Sequence, residues 1–397
     1  MKPNSKLPQC ILTLLLLTIF FSACDKEITT DVTPEIINSD ISTNTTLTNR
    51  STGVDYQIDG CIEILSSAVL TIEPGVVIEF TQNSCLEITD FAVLNAVGTA
   101  NNPIIFTGQQ KTKGFWKGIA FYETNNTNNK LTYCTIEYAG TLTASNSPYK
   151  AALKIGDTMY EPARIALNNV TIQHNLNAGI YIFADSFIDV MKNNTFTDND
   201  IPFVAIGRAV AYLDADNNFT TNTKDQVVWA TSSSDPLSDN ATFTIKKLPV
   251  PYYLGSNDYE ANSNGSITID AGVKMIMKTD ATIRADAGTI TMNGTANNRI
   301  IIEGESHIPN AWEGILAINS GLIKMDYVTV NDGGEPFNGK KAVVTQVLHG
   351  GLQVTNCIFS NYPYYGLSYE PAYQHNADIN TSNTCTGNTG LGCIYEL

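Results

Sequence analysis

The sequence predicts an all-β protein folded as a solenoid, in which short strands wind around a shared apolar axis. Three observations support this prediction. Long segments recur at a fixed offset, and short apolar segments rich in β-branched residues are bounded by Gly, Asn or Pro. No apolar stripe with the helical period of 3.6 residues competes with them. A single coil cannot bury its apolar face alone, so stacked coils must share one dry core.

Composition and charge exclude two classes of protein. The chain has 397 residues, and 23 Lys and Arg against 39 Asp and Glu give a net charge of −16. An extended nucleic-acid footprint needs clustered positive charge, so nucleic acid is excluded as a partner. Hydrophobic residues make up 43% of the chain, which is enough for a substantial core and argues against global disorder.

Residues 1–23 are predicted to be a signal peptide. Lys2 and Lys6 precede an apolar run over residues 11–21, which is too short for a bilayer-spanning helix. Residues 21–24 (FSAC) resemble the bacterial lipobox, although Phe21 replaces the usual Leu. The resemblance implies cleavage before Cys24, diacylation of that residue and a lipid as the only membrane anchor. The alternative is an ordinary signal peptide followed by an incidental cysteine.

A flexible tether is predicted from the lipidated Cys24 to residue 53. Residues 25–27 (DKE) resemble the charged surface-export signal of Bacteroidetes lipoproteins, with a merely solvated spacer as the alternative. The Thr, Asn, Ser and Ile that follow show no sustained alternation and favour a spacer. We therefore expect a lipid-anchored protein of the outer membrane, exposed at the cell surface.

Two solenoid copies in tandem are predicted by the internal repeat, over residues 54–222 and 251–397. The repeated segments are 70–76 (LTIEPGV) with 267–273 (ITIDAGV), 98–106 (GTANNPIIF) with 294–302 (GTANNRIII), and 116–119 (WKGI) with 312–315 (WEGI). Their order and spacing make chance a poor explanation. Residues 223–250 contain prolines and little pattern, and are predicted to be a connection. We expect the copies to stack into one continuous rod, with a hinge at the connection as the alternative.

A shorter sequence period within each copy predicts the individual coils. Asn169, Asn194 and Asn356 each precede a short alternating apolar stretch, and the first two lie 25 residues apart. Strands of 3–5 residues that recur every 20–25 residues are typical of solenoid coils. Asn suits the corners because it tolerates left-handed backbone angles, and stacked Asn side chains form amide ladders.

These motifs support a family resemblance. Residues 70–75, 98–104 and 116–119 resemble the right-handed parallel β-helix lipoproteins of Bacteroidetes, within the wider pectin-lyase-like class. The resemblance implies a right-handed parallel β-helix over nearly all of residues 54–397. It implies little about activity, since this fold hosts lyases, glycosidases, adhesins and pure binders.

Four of the eight cysteines are predicted to form disulfides. Cys61 and Cys85 lie about one coil apart, and neither has a counterpart in the second copy, so we expect a bridge at the N-terminal edge. Cys385 and Cys393 are expected to close the C-terminal edge. Cys134 and Cys357 occupy inward positions and are expected to be buried thiols.

No complete catalytic signature is present. The polygalacturonase-like motifs implied by the resemblance are missing, and the four histidines are scattered. If the protein were a polysaccharide lyase or glycosidase, Asp185, Asp189, Asp198 and Asp200 would supply its carboxylates.

The metal prediction is confined to one segment. Asp214, Asp216 and Asn218 match alternate positions of a calcium loop, but Phe219 stands where a glycine is needed. The favoured interpretation of this segment is a coil corner without a metal, so no cofactor is predicted and calcium is the alternative.

The ligand prediction rests on an aromatic cluster. Five tyrosines crowd into 12 residues, namely Tyr362, Tyr364, Tyr365, Tyr369 and Tyr373. Tyrosine suits stacking on sugar rings, and the alternative is that these rings cover the last coil. We therefore predict a non-catalytic surface binding or adhesion module, with carbohydrate as its ligand. The alternatives are a polysaccharide lyase or glycoside hydrolase, and a structural rod of the envelope. The sequence leaves the oligomeric state open.

Overall fold

The computed structural model describes residues 33–50, 53–143, 148–157, 162–230, 241–334, 342–387 and 391–396. The predicted signal peptide and Cys24 lie outside the described residues. The described chain is a right-handed parallel β-helix, and this confirms the predicted fold class.

The described residues form 38 short strands and one short 3₁₀ helix. In the N-terminal half the strands are β1 (Glu35–Ile37), β2 (Thr45–Leu47), β3 (Tyr56–Ile58), β4 (Cys61–Ile64), β5 (Val69–Ile72), β6 (Val77–Phe80), β7 (Cys85–Ile88), β8 (Val93–Val97), β9 (Ile104–Gly108), β10 (Gly118–Phe121), β11 (Lys130–Thr132), β12 (Cys134–Glu137), β13 (Leu142–Thr143), β14 (Lys150–Ile155), β15 (Arg164–Asn168), β16 (Thr171–Gln173), β17 (Ala178–Ile182), β18 (Phe187–Lys192), β19 (Thr195–Thr197) and β20 (Ile201–Ile206). The 3₁₀ helix Gly207–Tyr212 follows. No helix in the described part of the chain has the length and apolar character needed to cross a lipid bilayer.

The remaining strands continue the same winding. They are β21 (Val227–Ala230), β22 (Thr242–Ile245), β23 (Tyr252–Leu254), β24 (Asp258–Asn262), β25 (Ser266–Ile269), β26 (Lys274–Met277), β27 (Thr282–Asp286), β28 (Thr289–Asn293), β29 (Ile300–Gly304), β30 (Gly314–Ile318), β31 (Leu322–Asp326), β32 (Val328–Asn331), β33 (Ala342–Gln346), β34 (Gly351–Thr355), β35 (Ile358–Ser360), β36 (Tyr365–Tyr369), β37 (Thr384–Thr386) and β38 (Gly392–Glu396).

Successive strands of each coil fall on different sides of the rod, and equivalent strands of neighbouring coils pair in parallel. The N-terminal half has sheet I (β1, β3, β6, β9, β12, β16, β19) and sheet III (β2, β5, β8, β11, β15, β18). The C-terminal half has sheet IV (β22, β25, β28, β31, β34) and sheet V (β24, β27, β30, β33, β36, β38). The 14-stranded sheet II contains β4, β7, β10, β14, β17, β20 and β21 from the first half, β23, β26, β29, β32, β35 and β37 from the second, and β13 beside β14.

The core is a set of apolar columns inside the rod. Residues that point inward from one strand lie above those of the next, because the strands pair in parallel and in register. The pairing of β15 with β18 is an exception, with a register shift between Ile165 and Ala166. One column of sheet II runs the length of the molecule through Ile62, Leu86, Ile119, Leu153, Ile180, Phe203, Val227, Tyr252, Met275, Ile302, Val330, Phe359 and Cys385. The first twelve of these are buried. The shared axis predicted from the sequence is therefore one continuous core.

Two segment predictions need correction. The tether predicted to reach residue 53 is wrong for residues 33–50, because β1 pairs with β3 and β2 pairs with β5 to form the first coil. The predicted connection also contains solenoid strands, since β21 pairs with both β20 and β23. Sheet II thus continues across the junction, which the expected continuous rod requires.

Segments that are equivalent in the sequence repeat do not lie in the same sheet: in the second half each is moved to the adjacent side of the rod. β6 and β9 carry residues that repeat in β26 and β29, yet β6 and β9 lie in sheet I while β26 and β29 lie in sheet II. Likewise β10 lies in sheet II, and β30, which follows the repeated tryptophan, lies in sheet V. Sequence-related strands therefore face different directions in the two halves.

Asparagine ladders fix two corners of the rod. Asn175 donates its side-chain amide to Asn199 Oδ1 (3.0 Å), and Asn199 donates to Asn222 Oδ1 (3.1 Å) one coil further along. At another corner Asn194 donates to Asn217 Oδ1 over 2.9 Å. The predicted amide ladders are thus present, and they satisfy polar groups that the corners would otherwise bury without partners.

Candidate functional site

A cavity lies at the corner between sheets I and II, where β14, β17, β20 and β21 begin. Its volume is about 420 Å³. This is within the range of roughly 300–1,000 Å³ typical of small-molecule sites. The lining residues come from four successive coils and are Pro148, Tyr149, Lys150, Asn177, Ala178, Asp200, Ile201, Thr223 and Lys224.

One wall of the cavity is an excursion of the chain. β13 pairs antiparallel with β14, and residues 148–150 lie where β14 begins. Lys154 holds this hairpin: its ammonium donates to Thr143 O (3.0 Å) and pairs with Asp157, and it lies 4.8 Å from the centre of the Tyr122 ring. Burial lowers the pKa of Lys154, while the nearby Asp157 opposes that shift. A buried ion pair of this kind fixes local geometry more than it adds stability.

The cavity combines an apolar part with polar groups. Tyr149 and Ile201 pack against a buried apolar cluster that includes Ala178. Burial raises the pKa of the Tyr149 phenol, which therefore stays protonated at neutral pH and can donate a hydrogen bond. Asn177 donates its backbone N–H to Asp200 Oδ2 (2.9 Å) and its side-chain amide to Gly140 O (2.9 Å). This mixture suits a ligand with both apolar faces and hydroxyl groups.

Two lysines line the cavity without a counter-charge in direct contact. Among the described residues, neither Lys150 nor Lys224 has an ion-pair or side-chain hydrogen-bond partner, and both are exposed. Lys150 opens β14, whereas Lys224 precedes β21 three coils further along. At about 4.8 Å per coil, their backbones are about 14 Å apart along the rod.

A histidine–aspartate pair lies at the same corner. His174 Nδ1 is 2.6 Å from Asp198 Oδ2, and Lys113 Nζ is 2.8 Å from Asp198 Oδ1. Hydrogen bonds from Lys113 and His174 hold the pKa of Asp198 below its ordinary value. The Tyr138 ring stacks on His174 with a centroid distance of 5.4 Å. His174 and Asp198 are each three or fewer residues from cavity residues, Asn177 and Asp200 respectively.

The second half of the chain contains a related pair. His307 Nδ1 is 3.4 Å from Asp332 Oδ2, at the corner that follows β29. Here Asp332 is buried and also accepts a hydrogen bond from Asn361, while His307 is exposed. Within the described structure, no aromatic ring stacks on His307 and no lysine pairs with Asp332, so the two pairs differ in their chemical surroundings.

The predicted carboxylate pool does not form one site. Asp185 pairs with Arg208 (2.8 Å), and Asp189 lies 3.6 Å from Arg164 beside sheet III. Asp198 is held by Lys113, and Asp200 lines the cavity. Only the last two share a corner.

The predicted tyrosine platform needs correction for part of the cluster. Tyr362 is fully buried and donates to Gly392 O over 3.1 Å, and Tyr369 is also buried. Tyr365 stacks on Tyr395 at 4.9 Å. The ring faces of Tyr362 and Tyr369 are therefore closed to a ligand, because both rings pack in the core of the last coils. Tyr364 and Tyr373 are half-buried, and their role in ligand binding stays a prediction.

The predicted calcium loop has the geometry of a coil corner. Asp214 Oδ1 accepts the Asp216 backbone N–H over 3.1 Å, and Asn218 Oδ1 accepts the Thr220 N–H over 3.0 Å. Phe219 is buried and stacks on Phe196. Within the described ranges, no group of three or more His, Cys, Asp and Glu side chains is arranged to hold a metal. Calcium binding by this segment stays the untested alternative.

The structure joins the cysteines in the predicted pairs. Cys61 and Cys85 are bonded with Cα atoms 4.3 Å apart on the paired strands β4 and β7. Cys385 and Cys393 are bonded with Cα atoms 5.4 Å apart. Cys134 and Cys357 are buried free thiols, and burial raises the pKa of each to about 12. Intact mass before and after reduction tests the pairing in solution: each bridge adds two hydrogens on reduction.

Comparison with known proteins supports the fold and a broad role. Residues 39–155 match the family model described as a pectate-lyase like beta helix domain. The matched stretch is similar to that domain. Neither the curated proteins nor the solved structures gave a significant match. Similarity to a pectate-lyase like helix indicates a carbohydrate-related role, while six of the nine cavity residues lie beyond the matched stretch.

The cavity itself is not predicted by the sequence. Its residues are spread over residues 148–224, and no motif joins them. Asp198 and Asp200 belong to the predicted carboxylate pool, but nothing in the sequence places that pool beside a cavity. The antiparallel excursion before β14 is the one signal available, because it interrupts the spacing of the coils.

Proposed function

We propose that this protein is a lipid-anchored module of the outer cell surface that binds carbohydrate without catalysis. The observation that carries the proposal is the cavity, in which Tyr149 and Ile201 offer apolar surface beside the polar side chains of Asn177 and Thr223. Sugars present apolar ring faces and polar edges, so this combination suits them. The similarity of residues 39–155 to a pectate-lyase like domain supports the same class of ligand.

Calorimetry and glycan arrays with cavity variants test the binding. We expect Tyr149→Ala to lose a stacking surface, and Thr223→Trp to fill the cavity from its exposed rim; each should weaken binding at least tenfold. The control is Tyr395→Ala, which removes a partly exposed tyrosine from the C-terminal end. Equal affinity of all three variants and the parent for every glycan would exclude the cavity as the binding site.

The anchor is tested separately in cells. Labelling with a fatty-acid analogue should mark the parent protein, and Cys24→Ala should abolish the label and release the protein from membranes. Protease digestion of intact cells should remove the solenoid if it is exposed at the surface. Protection from protease in intact cells but not in lysed cells would contradict surface exposure.

A catalytic function is the second candidate, and the His174–Asp198 pair favours it. An Asp that accepts the Nδ1 proton of a histidine leaves Nε2 to act as a general base, which is a common arrangement in enzymes. The assay is incubation with polysaccharides, followed by measurement of reducing ends and unsaturated products. Product formation that His174→Asn abolishes and His307→Asn preserves would replace the binding-only proposal with the catalytic one.

A further inference from the structure

The charges around the cavity are unlike those of the whole molecule. The chain carries a net charge of −16, yet the cavity lining holds two lysines and one aspartate, which gives 2 − 1 = +1. Many other basic side chains in the described residues are neutralised locally, as Lys113 is by Asp198 and Arg208 is by Asp185. Within the same described residues, Lys150 and Lys224 have no such contact.

The one acidic group in the lining is already engaged. Asp200 Oδ2 accepts the Asn177 N–H over 2.9 Å, and the Asp200 carbonyl accepts the Lys224 N–H over 2.9 Å. No ion pair joins Asp200 to either lysine in the described structure. The ammonium groups of Lys150 and Lys224 are therefore free to meet an anion.

The two lysines flank the cavity along the axis of the rod. Ala178 and Ile201 belong to the two intervening coils, and they form an apolar strip between the positive ends. Asn177 and Thr223 add polar groups along the same strip. A ligand that fills the cavity therefore has an apolar middle, hydroxyl groups, and a negative charge near one or both ends.

We infer that the cavity binds a short acidic oligosaccharide, whose carboxylate or sulfate groups are held by Lys150 and Lys224. This inference rests on the proposed carbohydrate-binding function and adds the chemical class of the sugar. Hydrogen bonds from an ammonium to an anion are stronger than neutral ones. Because the two lysines are well separated, their contributions should be additive.

Calorimetry with three tetrasaccharides tests the inference: one of galacturonic acid, one sulfated, and one neutral. We expect the acidic sugars to bind at least tenfold more tightly than the neutral one, and the comparison between carboxylate and sulfate identifies the anionic group. Lys150→Ala and Lys224→Ala should each weaken binding of the acidic sugar about tenfold, and the double variant about a hundredfold. Raising the salt concentration should weaken binding of the acidic sugar alone, because these lysines are exposed.

Two controls complete the design. Lys192→Ala removes the same charge from an exposed position in sheet III and should leave affinity unchanged. Asp200→Asn should maintain or increase affinity for the acidic sugar. If the neutral sugar binds as tightly and the lysine variants have no effect, the inference is wrong while the proposed function stands. If none of the three sugars nor any glycan on an array binds, the proposed function fails as well.

Discussion

Gly118 shows how tightly neighbouring coils approach one another. Its φ is +136°, and a Cβ placed there would lie 2.2 Å from the carbonyl oxygen of Ala152 in the next coil. Gly314, which occupies the repeated position, has a similar φ of +142°. Only glycine combines this backbone angle with this spacing.

Gly118→Ala should therefore destabilise the protein. We expect the free energy of unfolding to fall by about 3 kcal/mol, because the clash is with backbone and adds to the strain of the angle. Gly255→Ala is the control, since a Cβ added there would lie 3.8 Å from its nearest neighbour, and its effect should stay within about 0.5 kcal/mol. Urea unfolding followed by circular dichroism measures both. Equal stabilities of the two variants would contradict the close approach.

The two buried thiols predict a loss of stability at alkaline pH. Burial raises the pKa of Cys134 and of Cys357 to about 12, whereas an unfolded cysteine titrates near 8.5. Between these values the unfolded state releases protons that the folded state keeps, so stability falls as pH rises. Each thiol should contribute a loss on the order of 2 kcal/mol by pH 10.5.

Urea unfolding at pH 8 and at pH 10.5 measures this effect. The double variant Cys134→Ala/Cys357→Ala removes both thiols and should lose less stability over that interval than the parent. The difference isolates the thiols from the tyrosines, which the two proteins share. Parallel pH profiles would show that the thiols do not titrate in this way.

At the scale of single residues the sequence is most informative about buried positions. Trp116 and Trp312 occupy equivalent positions of the sequence repeat, and this equivalence favours a structural role in the coil over contact with a ligand. Both are buried, and their indole N–H groups donate to the carbonyls of Glu137 and Asn331, each over 2.8 Å. The tyrosine cluster is misleading, because Tyr362 and Tyr369 are buried in the core of the last coils and Tyr365 stacks on Tyr395.

The asparagine ladder at Asn175, Asn199 and Asn222 ties three successive coils together at one corner. Asn199 is buried at its centre: it accepts from the Asn175 amide and donates to Ile172 O (2.9 Å) and to Asn222. Truncation of Asn199 leaves several buried polar groups without partners. The ladder is therefore a stronger link than its individual hydrogen bonds indicate.

Asn199→Ala should lower the free energy of unfolding by about 3 kcal/mol, because unsatisfied buried amides and carbonyls each cost about 1–3 kcal/mol. Asn101→Ala is the matched control at an exposed corner, and its effect should remain within about 0.5 kcal/mol. Thermal unfolding of both variants checks the difference. A neutral Asn199→Ala would mean that water replaces the amide in the corner.

Strand positions are predicted best where short apolar segments rich in β-branched residues are bounded by Gly, Asn or Pro. β6 and β9 are recognisable from the sequence for this reason, and both are solenoid strands. β1 and β2 escape prediction because each has only three residues and few inward positions, and tertiary pairing rather than pattern makes them strands. β21 is hidden for another reason: the prolines around it indicate a connection.

The junction between the halves is packed around Trp229. Its indole N–H donates to Gly207 O over 2.9 Å, its ring contacts Phe243 and Tyr259, and its carbonyl accepts the Tyr259 hydroxyl over 2.8 Å. Because solenoid coils interact mainly with their neighbours, this residue transmits much of the coupling between the halves.

Trp229→Ala should lower stability by about 3–5 kcal/mol and divide one calorimetric transition into two. Trp229→Phe retains most of the apolar volume and should keep a single transition. Differential scanning calorimetry distinguishes these outcomes. A single transition in Trp229→Ala would show that sheet II alone couples the halves.

The architecture of the whole molecule follows from the sequence, but the cavity does not. A sequence repeat identifies the positions that the coils share, and these are the inward-facing residues of the core. The cavity depends on outward residues from four coils and on an excursion that interrupts the repeat, such as the hairpin at Lys150. Outward residues are not constrained by packing, so their convergence appears only when the coils are stacked.

The offset between the sequence repeat and the sheets determines which surfaces of the rod a binding partner can contact. β9 and β29 have similar sequences, yet they lie in different sheets, on different sides of the rod. A flat, rigid partner that binds along one side of the rod contacts strands of unrelated sequence in the two halves. Such a partner cannot gain avidity from the sequence repeat. Two separate partners, by contrast, can approach from different directions and each meet a sequence-related strand.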